Sequence, residues 1–149
     1  MSDGEHVPDL VKLASNVSLL QDAQRIAAKK LLDFDGEVFP SDGCAITLSI
    51  LLQEGGISVP DTFKAIELGS VLKNKNWKTI PVGEQRNGDI GSTCGSQPHH
   101  GQDHIYLVLR SVNSDEMVVA DNQKPEPHLR YASGGGQVTP TRFFLRAPE

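Results

Sequence analysis

The first half of the chain carries apolar residues at helical spacing. From Val17 to Leu32 they recur every three or four positions with charged residues between them, which predicts an amphipathic helix. Asp35-Gly36 breaks this pattern, and a second helix is expected from about Cys44 to the stop at Gly55-Gly56. That segment is apolar nearly all round, which is typical of a buried helix. A third helix is predicted to begin at Pro60-Asp61-Thr62.

The second half of the chain has the period and composition of β-strands. Strands are predicted at Ile90, from His104 to Leu109, from Met117 to Ala120 and from Arg142 to Leu145. Asn113-Ser114-Asp115 has the composition of a hairpin turn. Helices followed by antiparallel strands indicate the α+β class. With 149 residues, we expect a single domain, residues 1–149, in which N-terminal helices pack on an antiparallel sheet.

Composition and charge narrow the classes of function. The chain is 38% hydrophobic and 22% charged, as expected of a globular protein. Its net charge is −5 and its basic residues are scattered, which argues against nucleic acid because that binding needs a basic patch. No apolar run reaches the roughly 20 residues of a membrane span. Met1 to His6 lack the basic and apolar parts of a signal peptide, so we expect synthesis in the cytoplasm without one.

Cys44 stands where the second helix is predicted to begin. Unpaired N–H groups and the helix dipole at such a position favour the thiolate, which is the nucleophilic form of cysteine. Gly43 before it leaves room for a substrate to approach the backbone, and an N–H there could help to hold an oxyanion. Cys44 is therefore the candidate nucleophile. The alternative is a small apolar residue in a core helix, since free cysteines are often buried and inert.

His104 opens a predicted strand that can reach the start of the second helix. Its imidazole would take the thiol proton and later protonate a leaving amine. The next strand ends in Asp121-Asn122, and a polar residue there would orient the imidazole. We favour Asp121 over Asn122 because neighbouring residues on a strand face opposite ways. The alternative is a structural strand histidine and an aspartate that begins a turn.

A second group of chemically active side chains lies between Cys94 and His104. It includes His99, His100 and Asp103, and cysteine and histidine are common zinc ligands. A zinc-binding module or metal-dependent hydrolase built on this segment is the main rival hypothesis, although no second ligand pair of finger-like spacing is present. The simpler interpretation is a polar loop at the rim of a substrate cleft. Two cysteines do not make a disulfide framework in a chain of this length.

Three segments, in this order, resemble a known family. They are Gly43-Cys-Ala-Ile-Thr-Leu-Ser49, Asn87-Gly-Asp-Ile90 and Asp103-His-Ile-Tyr-Leu-Val-Leu109. They are similar to the papain-like cysteine amidases of bacterial cell walls, the NlpC-type and CHAP-type enzymes. Those enzymes have a cysteine at a helix start, a Gly-Asp step, a histidine that leads a strand and a polar third residue. The Cys-Ala-Ile-x-x-Ser run also resembles the type VI secretion amidase effectors.

The resemblance implies a papain-like fold in which Cys44, His104 and Asp121 hydrolyse an amide bond in the peptide part of bacterial peptidoglycan, with no cofactor and no metal. The residues expected to contact the stem peptide are Gly43, His100, Asp103 and Asn122. As an effector, the protein would be an antibacterial toxin secreted into the periplasm of a target cell. A protein immunity inhibitor that occupies the cleft would be its partner. A further hypothesis is a cell-wall-binding module that keeps the fold without catalysis.

Overall fold

The computed structural model describes residues 2–35, 43–97, 102–135 and 138–149. Helices come first along these ranges, and strands follow. The helices are α1 (Asp3–Ser15), α2 (Val17–Asp35), α3 (Gly43–Glu54) and α4 (Ala65–Asn74). The strands are β1 (Lys78–Ile80), β2 (Ile90–Ser92), β3 (Ile105–Ser111), β4 (Glu116–Ala120), β5 (His128–Tyr131) and β6 (Phe143–Arg146). The predicted α+β class is therefore confirmed. In these ranges no helix combines the length and the apolar character needed to cross a bilayer.

The six strands form one antiparallel sheet with two buried faces. Their order across the sheet is β1-β6-β2-β3-β4-β5. Side chains alternate between the faces along β3. Ile105 and Leu107 join the large core beneath the helices, whereas Tyr106 and Val108 join a smaller cluster on the other face. The apolar run that predicted this strand is thus explained by burial on both sides.

Helix α3 is the central helix of the fold. Residues 43–52 are all buried, as expected from an apolar surface on every side. The helix packs against α1, α2, α4 and β3. Its buried Ser49 hydroxyl donates to the backbone oxygen of Ala45 at 2.8 Å, so the polar group is satisfied within the helix. Because α3 packs on β3, residues near the start of each element can meet.

The third predicted helix begins later than expected, at Ala65 rather than at Pro60-Asp61-Thr62. The backbone N–H of Thr62 donates to Ser49 Oγ at 3.3 Å, and Gln53 Nε2 donates to Asp61 Oδ1 at 2.8 Å. These bonds hold the segment against α3 in a non-helical conformation. The helix signal at Pro60 was wrong because side chains of a neighbouring helix supply the segment's hydrogen bonds.

Three elements were not predicted from the sequence: α1, β1 and β5. Helix α1 has a capping box, in which Ser2 Oγ accepts from Glu5 N at 3.3 Å and Glu5 Oε1 accepts from Ser2 N at 3.1 Å. The N–H of Gly4 then donates to the oxygen of Pro148 at 2.9 Å. The two ends of the chain are therefore tied together on one side of the domain.

Candidate active site

Cys44 lies in the first turn of α3, against the chain that leads into β3. Its side chain is buried, with only 3% of the residue exposed. The thiol donates to the backbone oxygen of Asp103, with Sγ and O 3.9 Å apart. The backbone N–H groups of Ile105 and Ala45 also act on the sulfur. The nucleophile candidate is thus bracketed by the residues on either side of His104.

The thiol of Cys44 is not activated in this structure, contrary to the expectation from its place at a helix start. Burial raises the pKa of Cys44 to about 12, and the Ile105 N–H opposes this only in part. The carboxylate of Asp121 raises the pKa of Cys44 further because its negative charge would repel a thiolate. Desolvation therefore outweighs the helix terminus, and the resting side chain is a neutral thiol.

His104 immediately precedes β3, and its backbone is held by Thr93. The N–H of His104 donates to Thr93 Oγ1 at 2.8 Å, and the N–H of Thr93 donates to the oxygen of His104 at 3.0 Å. The imidazole stacks on Tyr106 with ring centres 5.8 Å apart. Its Nε2 lies 2.9 Å from Asp121 Oδ2. Among the described residues, no hydrogen bond joins the ring to the Cys44 sulfur, and Nδ1 has no partner.

Asp121 is the polar residue that contacts His104, as we favoured over Asn122. Its side chain is fully buried. Oδ2 faces His104, whereas Oδ1 accepts from the backbone N–H of Gln123 at 2.9 Å and from His128 Nε2 at 2.8 Å. Burial alone would raise the pKa of Asp121, but the hydrogen bonds from the two histidines outweigh it and hold the pKa well below its usual range. Asp121 is therefore a carboxylate at neutral pH.

His128 is a member of this site that sequence reasoning missed. It opens β5, where it pairs with Val119 of β4 in the antiparallel register. Val119 and Asp121 are two positions apart, so their side chains lie on the same side of the chain as the paired His128. The pairing of Val119 with His128 is the signal that could have placed His128 near Asp121. Using it would have required predicting β5 as the partner of β4.

A cleft opens beside the start of α3. It has a volume of about 310 Å³ and is lined by α2, by the first turn of α3 and by residues 122–125. Gln24 of α2 ties two of these walls together, because its Nε2 donates to the backbone oxygens of Asp121 at 2.8 Å and Lys124 at 2.7 Å. Gly43 and Asn122, each adjacent in sequence to a triad candidate, line this cleft.

The remaining predicted contacts fall in different places. Asp103 touches the site through its backbone oxygen, which accepts from the Cys44 thiol. His100 lies outside the described residues. Asn122 lines the cleft, but its Oδ1 is buried and has no hydrogen-bond partner among the described groups. The structure thus brings Cys44, His104 and Asp121 to one region, with Gly43 and Asn122 on its border.

The Gly-Asp step is a structural element some distance along the sheet. Asp89 is buried, and Arg146 of β6 binds it through Nε at 2.9 Å and Nη2 at 2.7 Å. Its Oδ2 also accepts from the backbone N–H of Arg86 at 2.8 Å. Gly88 has φ +91°, a conformation that favours glycine. This motif therefore fixes how the strand entry at Ile90 meets β6.

Cys94, the other cysteine of the chain, begins the segment for which a zinc site was predicted. Cys94 and Cys44 are both free and buried, so no disulfide joins them. Cys94 lines a small cavity of about 50 Å³ with Lys73 and Phe143, and burial raises its pKa. Within the described ranges, no three His, Cys, Asp or Glu side chains are grouped to hold a metal. His99 and His100 lie outside those ranges, so the zinc site stays a prediction.

Comparisons with known proteins show no family for this chain. No protein-family model matches it, and no curated protein does. The chain is similar to the crystal structure of Ly7917, with 15% sequence identity and a TM-score of 0.44. The match covers 99% of this chain and 63% of that one, so this chain spans less than two thirds of its length. A similarity of this size carries no argument about function.

Proposed function

We propose that this protein is a papain-like cysteine amidase of the NlpC or CHAP type. The observation that carries the proposal is the ordered His104–Asp121 pair beside a cysteine in the first turn of a buried helix. A carboxylate on Nε2 leaves Nδ1 of the same ring as the group that accepts a proton. This arrangement is the nucleophile, base and orienting group of acyl transfer.

The reaction starts from a neutral thiol, since burial raises the pKa of Cys44 to about 12. As Sγ attacks the amide carbonyl, the thiol proton leaves Asp103 O and passes to Nδ1 of His104. The tetrahedral intermediate collapses, Nδ1 gives that proton to the departing amine, and a thioester remains. His104 then takes a proton from water, whose oxygen attacks the thioester, and the proton returns to the sulfur. Asp121 keeps a proton on Nε2 of His104 throughout, so Nδ1 is the nitrogen that gains and loses the second proton.

The substrate that we propose is the peptide part of bacterial peptidoglycan. The resemblance of the Cys44, Gly-Asp and His104 segments supports this class. The cleft beside Gly43 is large enough for a short peptide segment, at about 310 Å³. Its apolar wall, formed by Ala27, Ala28, Leu31 and Ile46, suits small aliphatic side chains. In the same proposal the protein is a secreted antibacterial toxin that acts in the target periplasm, and an immunity inhibitor occupies this cleft.

One observation favours a second function, a binding module without catalysis. Cys44 is 3% exposed and its thiol is not activated, which is also how an inert core cysteine behaves. In that case the cleft would hold a cell-wall peptide and nothing would be cut. The two functions differ in whether product forms.

Mass spectrometry of purified peptidoglycan fragments separates these functions. Wild type should release new amine and carboxyl termini, and Cys44→Ala should release none. Cys94→Ala is the matched control, because it removes the other buried free thiol and should cut normally. Activity should be indifferent to EDTA. Unchanged fragments with wild type would reject the amidase, and equal cutting by Cys44→Ala would reject the nucleophile.

The cleft can be tested apart from the chemistry. Ala28 is exposed on α2 and lines the cleft, so Ala28→Trp should fill it. We expect at least a tenfold rise in KM because peptide side chains lose their pocket, with kcat less affected. Ser18→Trp, on the exposed part of the same helix, is the control and should cut like wild type. An unchanged KM in a folded Ala28→Trp protein would place the substrate elsewhere.

A further inference from the structure

Asp121 is shared between two histidines, one immediately before β3 and one at the start of β5. His104 Nε2 lies 2.9 Å from Oδ2, and His128 Nε2 lies 2.8 Å from Oδ1. The carboxylate is fully buried, and the side chain of His128 is only 12% exposed. Oδ1 also accepts from Gln123 N. The carboxylate is therefore held from both sides, and neither oxygen is free to turn.

Both ring nitrogens of His128 face acceptors. Nε2 faces the Asp121 carboxylate, and Nδ1 lies 3.2 Å from the backbone oxygen of Leu129. A neutral imidazole has one N–H and one acceptor nitrogen, so it satisfies only one of these contacts. The imidazolium donates to both. Only the protonated ring therefore satisfies both contacts at once.

The other histidine is arranged differently. Nε2 of His104 faces the carboxylate, but Nδ1 has no acceptor among the described residues. One ring proton, on Nε2, satisfies this geometry, and Nδ1 is left as a base. The two histidines share one carboxylate but differ in the contacts of their Nδ1 atoms.

We propose that His128 is a positioning residue of the reaction: as an imidazolium it holds Oδ1 of Asp121 and balances its charge, so that His104 stays neutral and takes the thiol proton. This inference rests on the proposed function. A buried carboxylate 2.9 Å from an imidazole favours the charged ring when nothing else neutralises it. A ring that is already protonated cannot accept the proton of Cys44, so the compensating charge preserves the base.

The charges around the pair agree with this assignment. The hydrogen bond to Asp121 raises the pKa of His128 and outweighs burial and Lys124, which both lower it. Arg130, on the same strand, places its guanidinium 4.9 Å from the ring centre of Tyr106, which stacks on His104. Within the described ranges, the carboxylate in contact with His128 is that of Asp121.

Nitrogen NMR of wild-type protein labelled with ¹⁵N-histidine tests the assignment without any substrate. At pH 7 we expect two ring protons on His128 and one, on Nε2, on His104. A single ring proton on His128, or two on His104, would overturn the proposal. Because this measurement does not depend on turnover, it tests the charge of His128 separately from the proposed amidase activity.

The variant His128→Gln tests the consequence for the reaction. Its amide N–H can still donate to Asp121, but the positive charge is gone. His104 should gain a second ring proton in the NMR experiment at pH 7. The acid limb of kcat/KM should move to higher pH by about one unit, while the plateau at high pH is kept.

His6→Gln is the matched control, because His6 lies on α1, which carries none of the triad residues. It should leave the acid limb and the His104 protons unchanged. A structural role for His128 predicts a uniform loss of activity across the pH range with no shift of the limb. That outcome in a folded His128→Gln protein would overturn the proposal. If the variant does not fold, the wild-type ring protons still decide it.

Discussion

Replacing Asp121 with asparagine changes one atom of the site, and its consequence can be derived from the hydrogen bonds. Oδ1 of Asp121 accepts from two donors, Gln123 N at 2.9 Å and His128 Nε2 at 2.8 Å. The amide oxygen must therefore take that position, and the amide NH₂ then faces Nε2 of His104. That nitrogen has to become an acceptor, so the ring proton moves to Nδ1. In this tautomer Nδ1 cannot accept the proton of Cys44.

Two magnitudes follow. The wrong tautomer should lower kcat by about 10⁴-fold, the loss typical of this change in a nucleophile–histidine–aspartate site. The loss of the buried charge opposite His128 should destabilise the protein by about 3 kcal/mol. For a domain of 149 residues this corresponds to a fall in Tm of about 10 °C, so the variant should remain folded at 25 °C.

The assay combines urea unfolding, initial rates of fragment release and histidine ¹⁵N NMR of the His104 ring. Asp89→Asn is the matched control, because it breaks a buried carboxylate pair with Arg146 outside the triad. It should lose similar stability and keep kcat within about threefold of wild type. A folded Asp121→Asn protein with kcat within tenfold of wild type, or with the ring proton still on Nε2 of His104, would refute the orienting role.

Three further outcomes are expected. Gly91→Ala should destabilise by about 3 kcal/mol in urea unfolding, because a Cβ would lie 2.2 Å from the buried Tyr106 ring; unchanged stability would show that the ring can move freely. Asp121 has a depressed pKa and stabilises above its unfolded value of about 3.9, whereas His128 has a raised pKa and stabilises below about 6.5. Stability should therefore fall towards acid through Asp121 and towards alkali through His128, and an alkaline fall of the same size in His128→Gln would contradict this. Iodoacetamide should alkylate Cys44 at pH 7 at least 100-fold more slowly in the folded than in the unfolded protein, since its pKa is about 12. Rapid modification at pH 6–7, read by peptide mass spectrometry, would indicate a thiolate–imidazolium pair instead.

The elements that the sequence predicted well are those whose burial is uniform along the element. Helix α3 is apolar on every side and is buried on every side, so composition alone was sufficient. Strand β3 is an apolar run with both faces covered. Helix α1 was missed although Ser2 and Glu5 have the spacing of a capping box. Strand β5 was missed because it has only four residues, His128–Tyr131, which is too short for alternation to stand out.

The sequence predicted those site residues whose position depends on a single helix or strand. Strand alternation selected Asp121 over Asn122, and the contact with His104 follows that choice. The second partner, His128, depended on the pairing of two strands, which no local pattern specifies. The state of the Cys44 thiol depended on how tightly the chain at Asp103 packs on α3. The position of Cys44 at a helix start predicts a lowered pKa from the helix dipole, but it does not reveal how deeply the thiol is buried. Here burial has the larger effect and raises the pKa.

The burial of the site explains how its charges are arranged. A buried unpaired charge is costly, so a buried site is stabilised when its positive and negative charges are paired. In the proposed arrangement a cationic His128 balances the charge of Asp121, and the thiol of Cys44 stays neutral because burial raises its pKa to about 12. In the proposed reaction, the thiolate of Cys44 forms only during attack, when the carbonyl takes up the negative charge as His104 takes up the proton. The burial that raises the pKa of Cys44 would also protect the sulfur of the proposed amidase between turnovers.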